Sequence, residues 1–140
     1  MNIFVFGSNE AGRHGKGAAL WARRNRGAIY GQGKGLQGSS YGIPTKDRNL
    51  NVLSLAEIWD YIIEFVFFAI AHPEHTFELT AIGTGLAGYK PESIAPMFVA
   101  APANVLVPEA WAELLPFHPT WKGETTENYA KPIDTAGIAR

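Results

Sequence analysis

The chain predicts an α/β fold built as one domain. Two apolar runs, residues 3–6 and 77–82, read as buried strands, and each opens into a glycine-rich turn that leads to a helical segment. Between them lies one long amphipathic segment, Leu55–Ala71, with a helix-start signature ahead of it. A length of 140 residues suits a single core. The domain is expected over residues 1–115, with residues 116–140 as a C-terminal tail.

The first strand, residues 3–6, ends at Gly7. Met1 leads straight into this run, and no basic segment or cleavage site precedes it, so a strand is expected rather than a signal peptide. Residues 8–17 form the first glycine turn, and residues 18–24 the first helix, with Leu20 and Trp21 packing inward. Residues 27–38 hold five glycines and predict no regular structure. A short strand at 41–43 is expected to stop at Pro44, leaving Thr45, Lys46 and Asp47 on a loop. Ser54 with Glu57 makes a capping box for the long helix. Glu57, Asp60 and Glu64 give that helix a polar stripe, and Ile58, Trp59, Ile62, Ile63, Val66, Phe67 and Ile70 cover the rest. His72 and Pro73 end it. Residues 77–82 read as the central strand. A short helix with Ile94, Met97 and Phe98 follows, kinked or started by Pro96. A strand at 104–107 and a helical turn or two at 109–115 complete the domain. The prolines and threonines beyond read as an extended tail over the domain or a partly disordered one.

Composition narrows the function. Hydrophobic residues make 46% of the chain and aromatics 12%, which argues for a folded globule and against disorder. There is no cysteine, so disulfide and thiolate chemistry are excluded, and a cytoplasmic setting is expected. The apolar run at 65–71 is too short to cross a bilayer, so no membrane partner is expected. The net charge of −1 is unevenly spread: residues 11–46 carry seven basic side chains and no acidic one. A basic region beside glycine turns suits a phosphorylated ligand. Arg23, Arg24 and Arg26 are either phosphate contacts or a solvated helix face.

The stretch Ile82-Gly83-Thr84-Gly85-Leu86-Ala87-Gly88-Tyr89 has the local chemistry of a diphosphate cradle. Glycine lets backbone N–H groups approach an anion, and a helix start adds partial positive charge. Gly83, Gly85 and Gly88 also fit the dinucleotide fingerprint, with Glu109 twenty-one residues on, which keeps a Rossmann-like NAD binder open. Gly33, Gly35 and Gly38 share that spacing without a strand before or a helix after. Lys16 has no Ser or Thr after it to hold magnesium, so it is no Walker lysine. Residues 38–42 spell a nucleophile elbow around Ser40, but Ile43 and Pro44 follow where that elbow needs a helix. His72 and His75 lie three apart at a helix end, with no cluster elsewhere to complete a metal site.

Together these residues resemble the macrodomain family, in the branch of the terminal ADP-ribose protein glycohydrolases and the antitoxin glycohydrolases that strip ADP-ribose from DNA. Three blocks match in order: Asn9-x-x-Gly12-x-x-Gly15-Lys16-Gly17-Ala18, then Pro44-Thr45-Lys46, then residues 82–88. Residues 31–46 also look like small phage-borne macrodomain-like proteins. The resemblance implies a three-layer α/β/α sandwich with a mixed sheet and ADP-ribose across the carboxyl ends of its strands. It implies that Gly83, Thr84, Gly85, Leu86, Ala87, Gly88 and Tyr89 hold the diphosphate. Ser8, Asn9, Gly12, His14, Gly15, Lys16 and Gly17 would line the other wall, with Asn9 on the distal ribose and Lys46 beside its anomeric carbon. The chain departs from the family twice. The usual extra N-terminal strand and acidic–aliphatic adenine contact have no counterpart ahead of Ile3. Ala87 stands where protein-directed members carry aspartate and DNA-directed members glycine.

The resulting expectation is an ADP-ribosyl glycohydrolase that frees ADP-ribose from DNA or protein, with Lys46 and Asn9 catalytic and no metal or separate cofactor. A non-catalytic binder that sequesters an ADP-ribose-type signalling nucleotide is the alternative from another class.

Overall fold

The computed structural model describes residues 1–123. Among them, six strands form one mixed sheet: β1 (Asn2–Asn9), β2 (Gly35–Gln37), β3 (Ser40–Lys46), β4 (Thr76–Leu79), β5 (Val105–Pro108) and β6 (Thr120–Trp121). Their order across the sheet is β2-β3-β1-β4-β5-β6. Only β2 runs antiparallel to its neighbour. The helices are α1 (Gly17–Asn25), α2 (Leu55–Ala71) and the single turn α3 (Pro91–Ile94). Short 3₁₀ turns follow at Ala95–Phe98 and Glu109–Trp111, and Pro96 sits at the start of the first, where its missing N–H is harmless.

β1 shows why the fold has three layers. Its side chains alternate across the sheet. Ile3 and Val5 enter a large core with Ile58, Ile62 and Phe65 of α2 and with Ile94 and Phe98. Phe4 and Phe6 enter a smaller core on the other face with Ala19 and Ala22 of α1, Trp21 and Trp121. A strand buried on both sides reads as a continuous apolar run, as residues 3–6 do. The molecule is an α/β/α sandwich.

Helix α2 occupies the span its sequence predicts, and both halves of its capping box form: Ser54 Oγ accepts from Glu57 N–H, and Glu57 reaches back to Ser54 N–H. Replacing Ser54 by Ala is expected to lower stability by about 1 kcal/mol, read as a fall of about 2–4 °C in Tm. The apolar coat of α2 divides differently from expectation. Ile58, Ile62, Phe65, Val66 and Ala69 are buried, whereas Trp59, Phe67 and Ile70 face outward, because a helix lying on one sheet buries one stripe only.

Several boundaries need correction. β1 runs to Asn9, so Ser8 and Asn9 belong to a strand end, not to the glycine turn: Gly7, Ser8 and Asn9 pair with Ile43, Pro44 and Lys46. β3 passes through Pro44 and includes Thr45 and Lys46: Pro44 still faces Ser8, and Thr45 is the extra residue of a bulge after which Lys46 faces Asn9. Residues 27–38 are not wholly irregular, since β2 lies inside them. Two of their glycines answer to close packing: a Cβ on Gly33 would stand 2.2 Å from the Asn9 carbonyl oxygen, and one on Gly38 2.7 Å from the Gly27 carbonyl oxygen. β4 stops at Leu79, short of Ile82. The sheet continues past residue 115 into β6, where the Trp121 indole N–H donates to the Leu79 carbonyl at 2.7 Å and the ring meets Phe4 edge-on. Residues 124–140 of the expected tail lie outside the described residues.

Candidate functional site

From β1 the chain leads through α1 to β3 on one side; from β4 it leads through α3 to β5 on the other. The strand order therefore reverses between β1 and β4, which is where parallel sheets open a crevice at their carboxyl ends. Here β1 outruns β4. Val5 is the last β1 residue paired with β4, and Thr80 then ties back to the Val5 carbonyl through its N–H and its hydroxyl, at 3.1 and 2.7 Å. The flank of residues 7–9 that β4 leaves unpaired becomes the floor of a cleft of about 850 Å³.

Two glycine turns form its walls. In residues 80–89, Ile82 N–H donates to Thr80, Thr84 Oγ1 to Ala81, Gly88 N–H to Gly85 and Tyr89 N–H to Gly83. Within the protein, the N–H groups of Gly85, Leu86 and Ala87 have no hydrogen-bond partner among the described residues. Opposite them, α1 begins at Gly17 with no side-chain cap and no acidic residue in its first turn. Such an end presents unpaired N–H groups and partial positive charge. The walls approach each other closely: Leu86 Cδ1 lies 4.0 Å from where a Cβ on Gly17 would stand.

Arg13, Lys16 and Lys46 line the cleft, and among the described residues no acidic side chain does. Lys46 is held by its backbone on both sides, its carbonyl accepting from Glu10 N–H at 2.9 Å and its residue bridging to Val52. Neighbouring Asp47 turns its carboxylate to its own loop, accepting from Asn49 and Asn51 N–H at 2.8 and 3.0 Å. Lys46 forms no ion pair among the described residues. Tyr30, Leu50 and Leu86 add an apolar rim, all more than 40% exposed. Leu50 holds a positive φ of 65°, a conformation that costs a leucine free energy and recurs at functional loops.

The expected site residues divide. Ser8, Asn9, Gly15, Lys16, Gly17, Lys46, Gly83, Thr84, Gly85, Leu86 and Ala87 line this cleft together. Gly12, His14, Gly88 and Tyr89 do not. Gly12 has a positive φ and packs on the backbone of Gly31 and Gln32. His14 is fully buried against Phe6, with Nε2 between the Gln32 carbonyl at 2.8 Å and Gln37 Oε1 at 3.2 Å. Tyr89 donates its hydroxyl to the Leu53 carbonyl at 2.6 Å. Asn9 reaches the cleft, but its amide brackets the turn, accepting from Arg13 N–H at 2.9 Å and donating to Arg13 C=O at 3.0 Å. It positions Arg13. Ser8 gives its hydroxyl to the Gly33 carbonyl.

Residues the sequence left unassigned include Arg13, Tyr30, Leu50 and Thr80. The excess of basic residues at 11–46 was the one signal for Arg13. That excess also misled at Arg26, which pairs with Glu78 at 3.0 Å and lies over Phe4 and Trp21. Arg23 stacks on Tyr30 at 4.8 Å, and Arg24 is exposed. Ser40 is fully buried in β3 and donates to the Gln37 carbonyl, so it heads no elbow. Glu109 is exposed and outside the cleft.

Fold and cleft define the class: an α/β/α sandwich with a crevice at the switch point of its sheet that is cationic and, among the described residues, free of carboxylates. No protein-family model matches the chain, and no curated protein does. Among solved structures it is similar to a protein of unknown function from Bacteroides thetaiotaomicron, with a TM-score of 0.51 and 18% identity, over 70% of this chain and 78% of that one. That likeness bears on the fold alone.

Proposed function

We propose that the cleft binds ADP-ribose or a related NAD-derived nucleotide, and that the protein removes ADP-ribose from a macromolecule, DNA or protein. The observation that carries this reading is the meeting of two glycine turns with three cations, with N–H groups unpaired and no carboxylate between them among the described residues. A diphosphate needs such surroundings, since each carboxylate would repel it. The volume falls within the range of cofactor sites, and Tyr30, Leu50 and Leu86 offer apolar surface to a base. Lys46, half-buried and anchored at the end of β3, is the nucleophile of the reading. The protein acts in the cytoplasm, which suits a chain without cysteine. Among the described residues no helix is long and apolar enough to cross a membrane.

Calorimetric titration with ADP-ribose, NAD and cyclic ADP-ribose tests the binding step. Saturable binding of ADP-ribose is expected, and no binding of any of the three overturns the reading. If the macromolecule is DNA, affinity falls with salt, and Arg24→Ala lowers the slope of log K against log salt by about one. Arg26→Ala is expected to leave that slope unchanged and to lower stability, because Arg26 serves Glu78 and Phe4.

The lack of a carboxylate in the lining among the described residues also favours a second reading, a binder that sequesters an ADP-ribose-type nucleotide, since glycosidic hydrolysis commonly uses a carboxylate as acid or base. Turnover separates the two: a binder returns its ligand unchanged, and an enzyme releases product in excess over protein.

A further inference from the structure

At the opposite end of the sheet from the cleft, the chain passes from α2 into β4 through His72, Pro73, Glu74 and His75. The ligand-capable atoms of His72, Glu74 and His75 all lie within 4.8 Å of one another. Glu74 Oε2 stands 3.0 Å from His72 Nδ1 and 3.6 Å from His75 Nε2. Ligand atoms around a tetrahedral zinc ion, at bond lengths of about 2.0–2.2 Å, stand about 3.3 Å apart. We propose that these three side chains form a binding site for a divalent transition-metal ion of the zinc class, separate from the cleft, that ties the end of α2 to the start of β4.

The geometry is held in place before any ion arrives. The Asn104 side-chain amide donates to the carbonyls of Ala69, His72 and His75, each at 3.1 Å, and so clamps the segment that carries the ligands. His75 N–H closes the turn on the His72 carbonyl at 3.1 Å. Phe68 lies against the His72 ring at 4.3 Å, and Phe77 meets the His75 ring edge-on at 6.2 Å. The two imidazoles stand within 17° of parallel, with Glu74 between them. Two imidazoles and one carboxylate suit zinc and its neighbours, whereas magnesium prefers oxygen ligands and water. Glu74 is 59% exposed, which leaves solvent access to the ion. The sequence pairs His72 with His75 by spacing alone; the carboxylate that completes the set sits between them, on the turn that brings the imidazoles together.

Titration of the chelator-treated full chain with zinc chloride, by calorimetry, tests the site. One saturable zinc per chain and a rise in Tm on zinc addition are expected, with no response to magnesium. Glu74→Gln keeps the shape of an exposed side chain, so the variant remains folded. Glu74→Gln and His75→Ala should each weaken zinc by at least the roughly tenfold that loss of an outer partner costs, and His118→Ala should leave it unchanged. The proposal is overturned by wild-type protein with no saturable zinc site, or by affinity that persists in the Glu74→Gln, His75→Ala double variant.

Discussion

Gly85→Val is expected to abolish nucleotide binding in a protein that remains folded. Both halves of that result come from the backbone. Gly85 has no positive φ, and a Cβ built on it meets nothing within 4 Å, so the side chain enters open space in the cleft and strains nothing. Such substitutions change stability by about 0.5 kcal/mol or less. Gly85, Leu86 and Ala87 all line that cleft, and their N–H groups are unpaired among the described residues, so a bulky side chain here competes with an anion for them. A hydrogen bond to a charged group contributes about 1.5–3 kcal/mol, so each one blocked weakens binding roughly tenfold to hundredfold. Calorimetry with ADP-ribose, alongside the melting curve, reads both quantities. Gly83→Val is the contrast. Gly83 has a φ of 75°, and its Cβ would stand 3.2 Å from Ile94 Cδ1, so that variant should lose stability as well. Wild-type affinity in folded Gly85→Val would place the anion elsewhere.

Lys46→Ala is expected to retain ADP-ribose binding and to lose hydrolysis by at least about a hundredfold, the lower end of what a positioned proton-transfer group contributes. Cleavage of the glycosidic bond leaves the ribose anomeric carbon electron-poor. In this reading the amine adds at that carbon as the bond to the macromolecule breaks, the leaving heteroatom keeping the electron pair and taking a proton; the ring C–O bond then opens to give a Schiff base, and water hydrolyses it to the aldehyde of ADP-ribose and the free amine. Lys46 is suited to this by position: it lines the cleft, its backbone is fixed by Glu10 and Val52, and neither Asp47 nor any other described acid pairs with it. Arg13 and Lys16 remain to hold the phosphates, so affinity should change little. Borohydride should trap an adduct on Lys46 during turnover. If wild-type protein releases no ADP-ribose from modified DNA, modified protein or free nucleotide, the sequestering binder remains. If Lys46→Ala turns over at the wild-type rate, the amine is not the nucleophile.

Much of this protein was legible in its amino-acid order, wherever the signal is local. The capping box of Ser54 and Glu57, the span of α2 and the apolar run of β1 depend on neighbours in the chain, and all three stand as read. The two strand–glycine-turn–helix units also place both turns at the carboxyl ends of parallel strands, which is enough to anticipate that they share a crevice.

What only the tertiary structure decided is where each polar side chain spends its hydrogen bonds. His14 and Tyr89 sit in motif blocks beside the cleft, yet one fills the core against Phe6 and the other ties to Leu53. Arg26 looked like its neighbours Arg23 and Arg24 until Glu78, fifty-two residues away, claimed it. Pro44 does not end its strand, because β3 bulges at Thr45 just after it and pairing with β1 resumes at Lys46, and Trp121 joins the sheet because Phe4 and Leu79 leave a place for its ring and its N–H. Local order sets which backbone shapes are available, since dihedral preference and hydrophobic period act within a few residues. The partner of a buried donor or cation is set by whatever the fold brings within about 3 Å, and nearness in space is not written in nearness along the chain.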